Sequence, residues 1–281
     1  MAQVLDDHPH FGTTRFLPKF WNLNVMAFAL GLAMGLSGPC SPAIAAELSE
    51  IIQRGKLIVG VKDNTRPLGF QDAQGNLQGF EIDIAKRLAQ SILGKADAIA
   101  LQPVTNQARL QLILENKVDL VVARVSVNDS RSRLVEFSPY YYLDSIGLIS
   151  NQPEIKTLGD LRNRTIGVLN GSDAIALIRS NLSTAQLVGV QSYQEAFSLL
   201  ETGKIDAFAA DKSLLTGWVQ EYPTYHILPV QLSEEALAVV MPKGMQYWGL
   251  RQMVNAAINE WKKSGWLKER ARYWGLPESF E

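Results

Sequence analysis

Two segments of the chain echo each other, and the echo limits the folds open to it. Residues 112–119 (LILENKVD) are matched by residues 198–206 (SLLETGKID), and each segment runs into a short apolar stretch, 120–123 and 207–210. A helix, a turn, a Lys-x-Asp step and a strand, used twice, predict two domains of similar build. Apolar runs with no polar alternation suit strands covered on both faces, so the expected class is α/β with mainly parallel sheets.

Each run gives way abruptly to polar residues. After 120–123 come Arg124, Ser126, Asn128, Asp129, Ser130 and Arg131, and after 207–210 come Asp211, Lys212 and Ser213. Ligands of open α/β sheets bind at the carboxyl ends of strands, so both loops are candidate sites. By composition alone the first loop suits a solvated turn equally well. If the two strand ends face each other across a cleft, Arg131 on one side and Asp211 on the other present a cation and an anion. Such a pair complements an amino-acid zwitterion.

The remaining pattern fills in the α/β units. Strands are expected at 57–61, 101–104, 145–150, 165–169 and 236–241. A helix opens at Gly79-Phe80-Glu81-Ile82-Asp83, with Phe80, Ile84, Leu88 and Ile92 on one face and Gly94 placed to stop it. Glu81 and Asp83 fall in its first turn and are read as structural partners of the helix dipole. Thr105 or Asn106 can cap a helix through Leu110, Ile113 and Leu114, in whose first turn Arg109 opposes the dipole unless an anion approaches. Asn170-Gly171-Ser172-Asp173 precedes a helix from about Ala174, offering amides as an anion site or as an ordinary N-cap. Helices at 250–263 and 267–274 carry Trp261, Trp266, Tyr273 and Trp274, read as packing rather than a stacking platform.

Arg15 and Lys19 precede a 12-residue apolar run, 25–36, and Ala43-Ile44-Ala45 offers small residues where a signal peptidase cuts. Residues 1–45 are therefore expected to be a signal peptide directing export to the periplasm. The run is too short to span a bilayer, which needs roughly 20 residues. Lipid anchoring through Cys40 is a minor alternative because Pro39 precedes it. Once the leader is removed no cysteine remains, which leaves no disulfide, thiol nucleophile or thiolate metal site. A formal charge of -1 without a basic tract gives no attraction for nucleic acid. Beyond the leader only His226 could serve as an imidazole, and no zinc-helix, phosphate-loop or dinucleotide motif occurs. No catalytic residue, metal site or cofactor is expected.

With these residues in view, the chain closely resembles the polar amino-acid binding proteins of ABC importers, solute-binding protein family 3. The resemblance rests on Gly79-Phe80-Glu81-Ile82-Asp83, on the Lys-x-Asp step, on Ser126 five residues before Arg131, and on Glu136-Phe137-Ser138-Pro139-Tyr140-Tyr141. It spans about 57–274. It implies a two-lobed type II periplasmic-binding-protein fold: lobe 1 from 47–146 and 237–281, lobe 2 from 147–236, joined by crossover strands near 145–150 and 236–241. Arg131 matches the clamp for the ligand α-carboxylate, Ser126 its hydroxyl partner, and Asp211 the acceptor of the α-ammonium. Lys62 and Arg109 fall where acidic-amino-acid binders place cations for a side-chain carboxylate. Arg124 and Asp173 depart from the family pattern and are expected to pair across the closed cleft, with Ser172 beside them. The implied function is a monomeric extracytoplasmic receptor for glutamate or aspartate, with glutamine possible, that delivers its ligand to an ABC permease. Alternatives are a cyclohexadienyl (prephenate/arogenate) dehydratase on the same scaffold, with Asp173 as its acid, and a sensory or lyase module that would need a further domain.

Overall fold

The computed structural model describes residues 47–278, so the expected signal peptide and Cys40 lie outside the described residues. The chain starts with α1 (Leu48–Arg54), β1 (Leu57–Val61) and a small antiparallel sheet of β2 (Asn64–Thr65), β3 (Gly69–Gln71) and β4 (Leu77–Gln78). Next come α2 (Phe80–Leu93), β5 (Ile99–Pro103), α3 (Ala108–Leu114), β6 (Leu120–Val122), the short α4 (Asp129–Ser132) and β7 (Glu136–Asp144). A second run holds β8 (Ile146–Ser150), β9 (Thr165–Leu169), α5 (Ala174–Asn181), β10 (Gln186–Val190), α6 (Tyr193–Glu201), β11 (Ala207–Asp211), α7 (Lys212–Glu221) and β12 (His226–Ile227). The chain then returns through β13 (Glu235–Met241), α8 (Trp248–Lys263) and α9 (Trp266–Tyr273).

Two five-stranded sheets result, ordered β5-β1-β6-β13-β7 and β10-β9-β11-β8-β12. In each, a central strand lies parallel between two others, β1 between β5 and β6, and β9 between β10 and β11. The sequence echo is therefore a topological one, and its Lys-x-Asp step has a physical reason. Asp119 is buried beside Arg54 and accepts the Ile58 amide at 2.8 Å, fixing the start of β1. Asp206 does the same for β9, accepting the Thr165 amide at 2.8 Å and Arg164 Nη1 at 3.1 Å. Each aspartate ties the head of one strand to the neighbouring strand, which sets their register.

The first lobe's core forms where α2 lays Phe80, Ile84, Leu88 and Ile92 on the sheet. Each such side chain contributes about 1.5–3 kcal/mol on burial. Gly79 is required at the head of this helix. Its φ is +132°, and a β-carbon would sit 2.3 Å from the Leu68 carbonyl oxygen. The helix's first free amides donate instead to the carbonyls of Pro67 and Leu68, Phe80 N at 3.0 Å and Glu81 N at 2.8 Å. Trp261 is buried in the same core, with Trp266 and Trp274 against it, as packing residues.

The chain passes between the sheets at Asp144 and Ser145, and the return pass pairs with it, Glu235 opposite Asp144. Asp144 is buried and holds the passage. It accepts the Ser145 amide at 2.9 Å and both the amide and the hydroxyl of Ser213. The strand expected at 145–150 thus belongs wholly to the second sheet and that at 236–241 to the first. Pro139 sits within β7 without breaking the sheet because β7 is an edge strand.

Candidate functional site

The two polar strand ends do face one another, and Arg124 is the residue on which they converge. Its φ is +48°, a left-handed conformation that side chains seldom adopt, so its backbone must be held. Glu81 Oε1 accepts its amide at 2.6 Å, and Arg109 Nη1 donates to its carbonyl at 2.5 Å and to that of Ala123 at 2.7 Å. The side chain reaches across the cleft to form an ion pair with Asp211. The expected partner was Asp173. Asp173 instead stands exposed at the start of α5 without a side-chain capping bond, whereas Asp211 ends β11, opposite the end of β6. The expected polar loop after residue 210 is in fact a strand running directly into α7, with Asp211 at the junction.

Arg131 is prepared in a different way. Asn128 caps α4 by accepting the Arg131 amide at 2.9 Å, and the guanidinium folds back so that Nη1 donates to Ser126 O at 2.8 Å and Oγ at 2.7 Å. One guanidinium edge is thereby braced on the serine five residues earlier. Ser172 lies on the second lobe before α5, with its hydroxyl buried and unpartnered. Lys62 is buried at the end of β1, where Nζ donates to Val104 O at 3.1 Å, and burial lowers its pKa. Burial, then the neighbouring Arg124 and Arg131, bring the Arg109 pKa down to about 10. Arg109 at the first turn of α3 is thus compensated by the two carbonyls it binds.

The sequence reading missed the acids beneath this cluster. Glu81, read as a dipole partner in α2, is fully buried; it also accepts the Tyr141 hydroxyl at 2.6 Å and keeps Oε2 unpaired. Burial raises its pKa. The spacing of 81, 85, 88 and 92 put Glu81 at the edge of the helix's apolar stripe, which was the available signal. Burial likewise raises Asp144, and it raises Glu235, which also feels Asp144, Arg124, Asp173 and Arg131.

A cavity of about 480 Å³ opens beside the Arg124–Asp211 pair. Of the eight residues chosen from sequence only Lys62 and Arg124 line it, with Arg66 and Phe70 from the first lobe and Phe197 and Trp218 from the second among the other wall residues. Across this seam Arg66 Nε lies 3.4 Å from Glu221, and Gln220 Nε2 donates to Trp274 O at 2.8 Å. Gly217 of α7 meets the Arg66 carbonyl so closely that a β-carbon would lie 2.1 Å from its oxygen. The lobes are in contact and the cleft is closed.

Two α/β lobes joined by paired crossing strands, with opposed strand ends at a cleft, have the build of type II periplasmic binding proteins. Residues 57–277 match the bacterial extracellular solute-binding proteins, family 3, and the chain belongs to that family. It is 32% identical to the glutamine-binding protein of Geobacillus stearothermophilus over 195 residues, covering 68% of this chain and 74% of that one. It is 28% identical to the L-cystine-binding protein TcyJ of Escherichia coli (strain K12) over 259 residues, 90% of this chain and 93% of the relative. Among solved structures it is similar to a solute receptor for L-cysteine of Neisseria gonorrhoeae, with 30% identity, a TM-score of 0.64 and coverage of 81% and 93%.

Proposed function

We propose that this chain is an exported, monomeric receptor that captures an acidic or polar α-amino acid by lobe closure and delivers it to the membrane subunits of an ABC importer. Glutamate or aspartate is the favoured ligand and glutamine the neutral counterpart. The observation that carries this reading is the Arg124–Asp211 ion pair, which joins the polar ends of β6 and β11 across one cleft, with Arg131, braced by Ser126, on the same loop as Arg124. The ligand α-carboxylate takes the free edge of Arg131. Its ammonium takes Asp211 and releases Arg124. An acidic ligand suits that exchange, because its second carboxylate compensates the released guanidinium and Lys62, whereas a neutral ligand leaves a cation uncompensated in a closing site. Ser172 supplies a further donor from the second lobe, and Asp173 and Arg109 act at the rim and the floor.

Each charge-assisted hydrogen bond contributes about 1.5–3 kcal/mol. Three clamped groups therefore reach micromolar affinity, about -8 kcal/mol, after ordering costs. No covalent step is needed, and the dehydratase alternative gains nothing from Asp173 on an exposed corner. The test is a thermal-shift screen over the twenty amino acids. A ligand at 100 times its Kd adds about 2.7 kcal/mol, several degrees for a protein of this size. Arg131→Ala should abolish every response. A screen with no shift, or a full response from that variant, overturns the proposal.

A further inference from the structure

Asp211 is the acid that the receptor reading assigns to the ligand's ammonium, and the chain itself already covers it. Its side chain makes no capping bond to α7, the helix it precedes, and pairs instead with Arg124 of the other lobe. The two side chains are only 18% and 17% exposed, so water does little to weaken the pair. Arg124 lines the cavity and Asp211 does not, so a guest there meets the guanidinium and not the carboxylate. The other acids of the described wall are compensated as well, Glu221 by Arg66 at 3.4 Å and Asp63 by its neighbour Lys62. Nothing in this lining waits for a cation.

The position of Arg124 is built rather than incidental. Its left-handed backbone, φ +48°, is pinned through the amide by Glu81 and through the carbonyl by Arg109, both buried. A glycine would take that φ freely, so the arginine carries a backbone cost that only its side chain can offset.

We propose that Arg124 is an internal substitute for the ligand's ammonium, and that the cleft therefore also takes carboxylates that have none, the 2-oxo and deamino counterparts of the amino acid it binds. The proposal rests on the amino-acid receptor reading above and extends its ligand class. A bare carboxylate at 211 would reject such a ligand, because closure would bury that charge unpaired. With Arg124 on it, a ligand that brings only a carboxylate for Arg131 leaves the pair intact. An amino acid gains Asp211 but frees Arg124, one charge-assisted contact exchanged for another, so the two kinds of ligand should bind alike. Arg131 and Arg124 share one electrostatic neighbourhood, since the charges of both act on Arg109 and on Glu235.

Calorimetric titration of the wild-type chain with glutamate, 2-oxoglutarate and glutarate tests this. The two ligands without an ammonium should bind within about tenfold of glutamate. Arg124→Gly bares Asp211 and suits the local φ; it should weaken 2-oxoglutarate and glutarate by about a hundredfold or more, while glutamate binds about tenfold tighter. Arg124→Lys returns a cation and should restore 2-oxoglutarate. Wild-type affinities for both analogues more than about tenfold below that for glutamate, or a glycine variant that ranks the three ligands as the wild type does, overturn the substitute while the receptor stands. A glycine variant that binds none of the three leaves the decision to the wild-type ranking and to Arg124→Lys. If another amino acid binds and none of these three does, the proposal falls and the receptor reading survives. If no amino acid binds at all, both fall.

Discussion

Gly217→Ala sets local and global preferences against each other. The residue lies inside α7, where alanine is favoured over glycine by about 0.5–1 kcal/mol. Yet its β-carbon would stand 2.1 Å from the Arg66 carbonyl oxygen, where C···O contacts normally settle at about 3.3–3.6 Å. The obstructing atom is backbone, so no rotamer change relieves it, and α7 must withdraw by roughly 1 Å. That movement breaks the Gln220 bond to Trp274 O and stretches the 3.4 Å Arg66–Glu221 contact past ion-pair range. A hydrogen bond at about 1 kcal/mol and a half-exposed pair at up to about 1 kcal/mol give about 2 kcal/mol lost from the closed form. That corresponds to roughly a 30-fold weaker ligand. The variant should therefore melt at or slightly above the wild-type temperature without ligand, and bind the best ligand of the thermal-shift screen about 30-fold less tightly by calorimetry. Small-angle scattering should show less compaction on binding. Wild-type affinity with wild-type compaction would refute the claim that this contact limits closure.

Asp119→Asn should cost about 2–4 kcal/mol of folding stability in urea unfolding, because a buried carboxylate between Arg54 and the Ile58 amide loses its charge. Asp206→Asn, in the more exposed echo position, should cost less. Glu81, Asp144 and Glu235 have pKas raised by burial, so the folded chain holds protons there more tightly than the unfolded chain. Stability should be fully present below the ordinary carboxylate pKa and fall as pH rises through about 4.5 toward the folded-state values, by up to about 1.4 kcal/mol per pH unit per group. Glu81→Gln, which keeps an acceptor for the Arg124 amide, should flatten that slope in melts from pH 5 to 8.

Local patterns were legible in the sequence. The strand at 57–61, the helix opened by Gly79 and closed by Gly94, and the strand at 165–169 depend on nearby residues, and each lies where its pattern put it. The run 136–141 carries a family likeness but does not announce the nine residues of strand it opens, since Pro139 fits a strand only at an edge. Edge strand β10 alternates poorly and α7 begins on polar residues, so neither stands out in the pattern. Pairings between distant residues were beyond reach. Opposite charge alone did not distinguish Asp173 from Asp211 as the partner of Arg124; the choice depends on which strand end the second sheet brings forward. Arg66 and Trp218, 152 positions apart, have no shared motif that could have joined them.

The crossing at Asp144 has a mechanical consequence. Because the outgoing and returning segments run side by side, paired at Asp144 and Glu235, while the Asp144 carboxylate ties the outgoing one to Ser213 of α7, twisting one lobe against the other would shear both segments at once. Bending across them strains neither. The paired passage thus resists twist between the lobes more than bending.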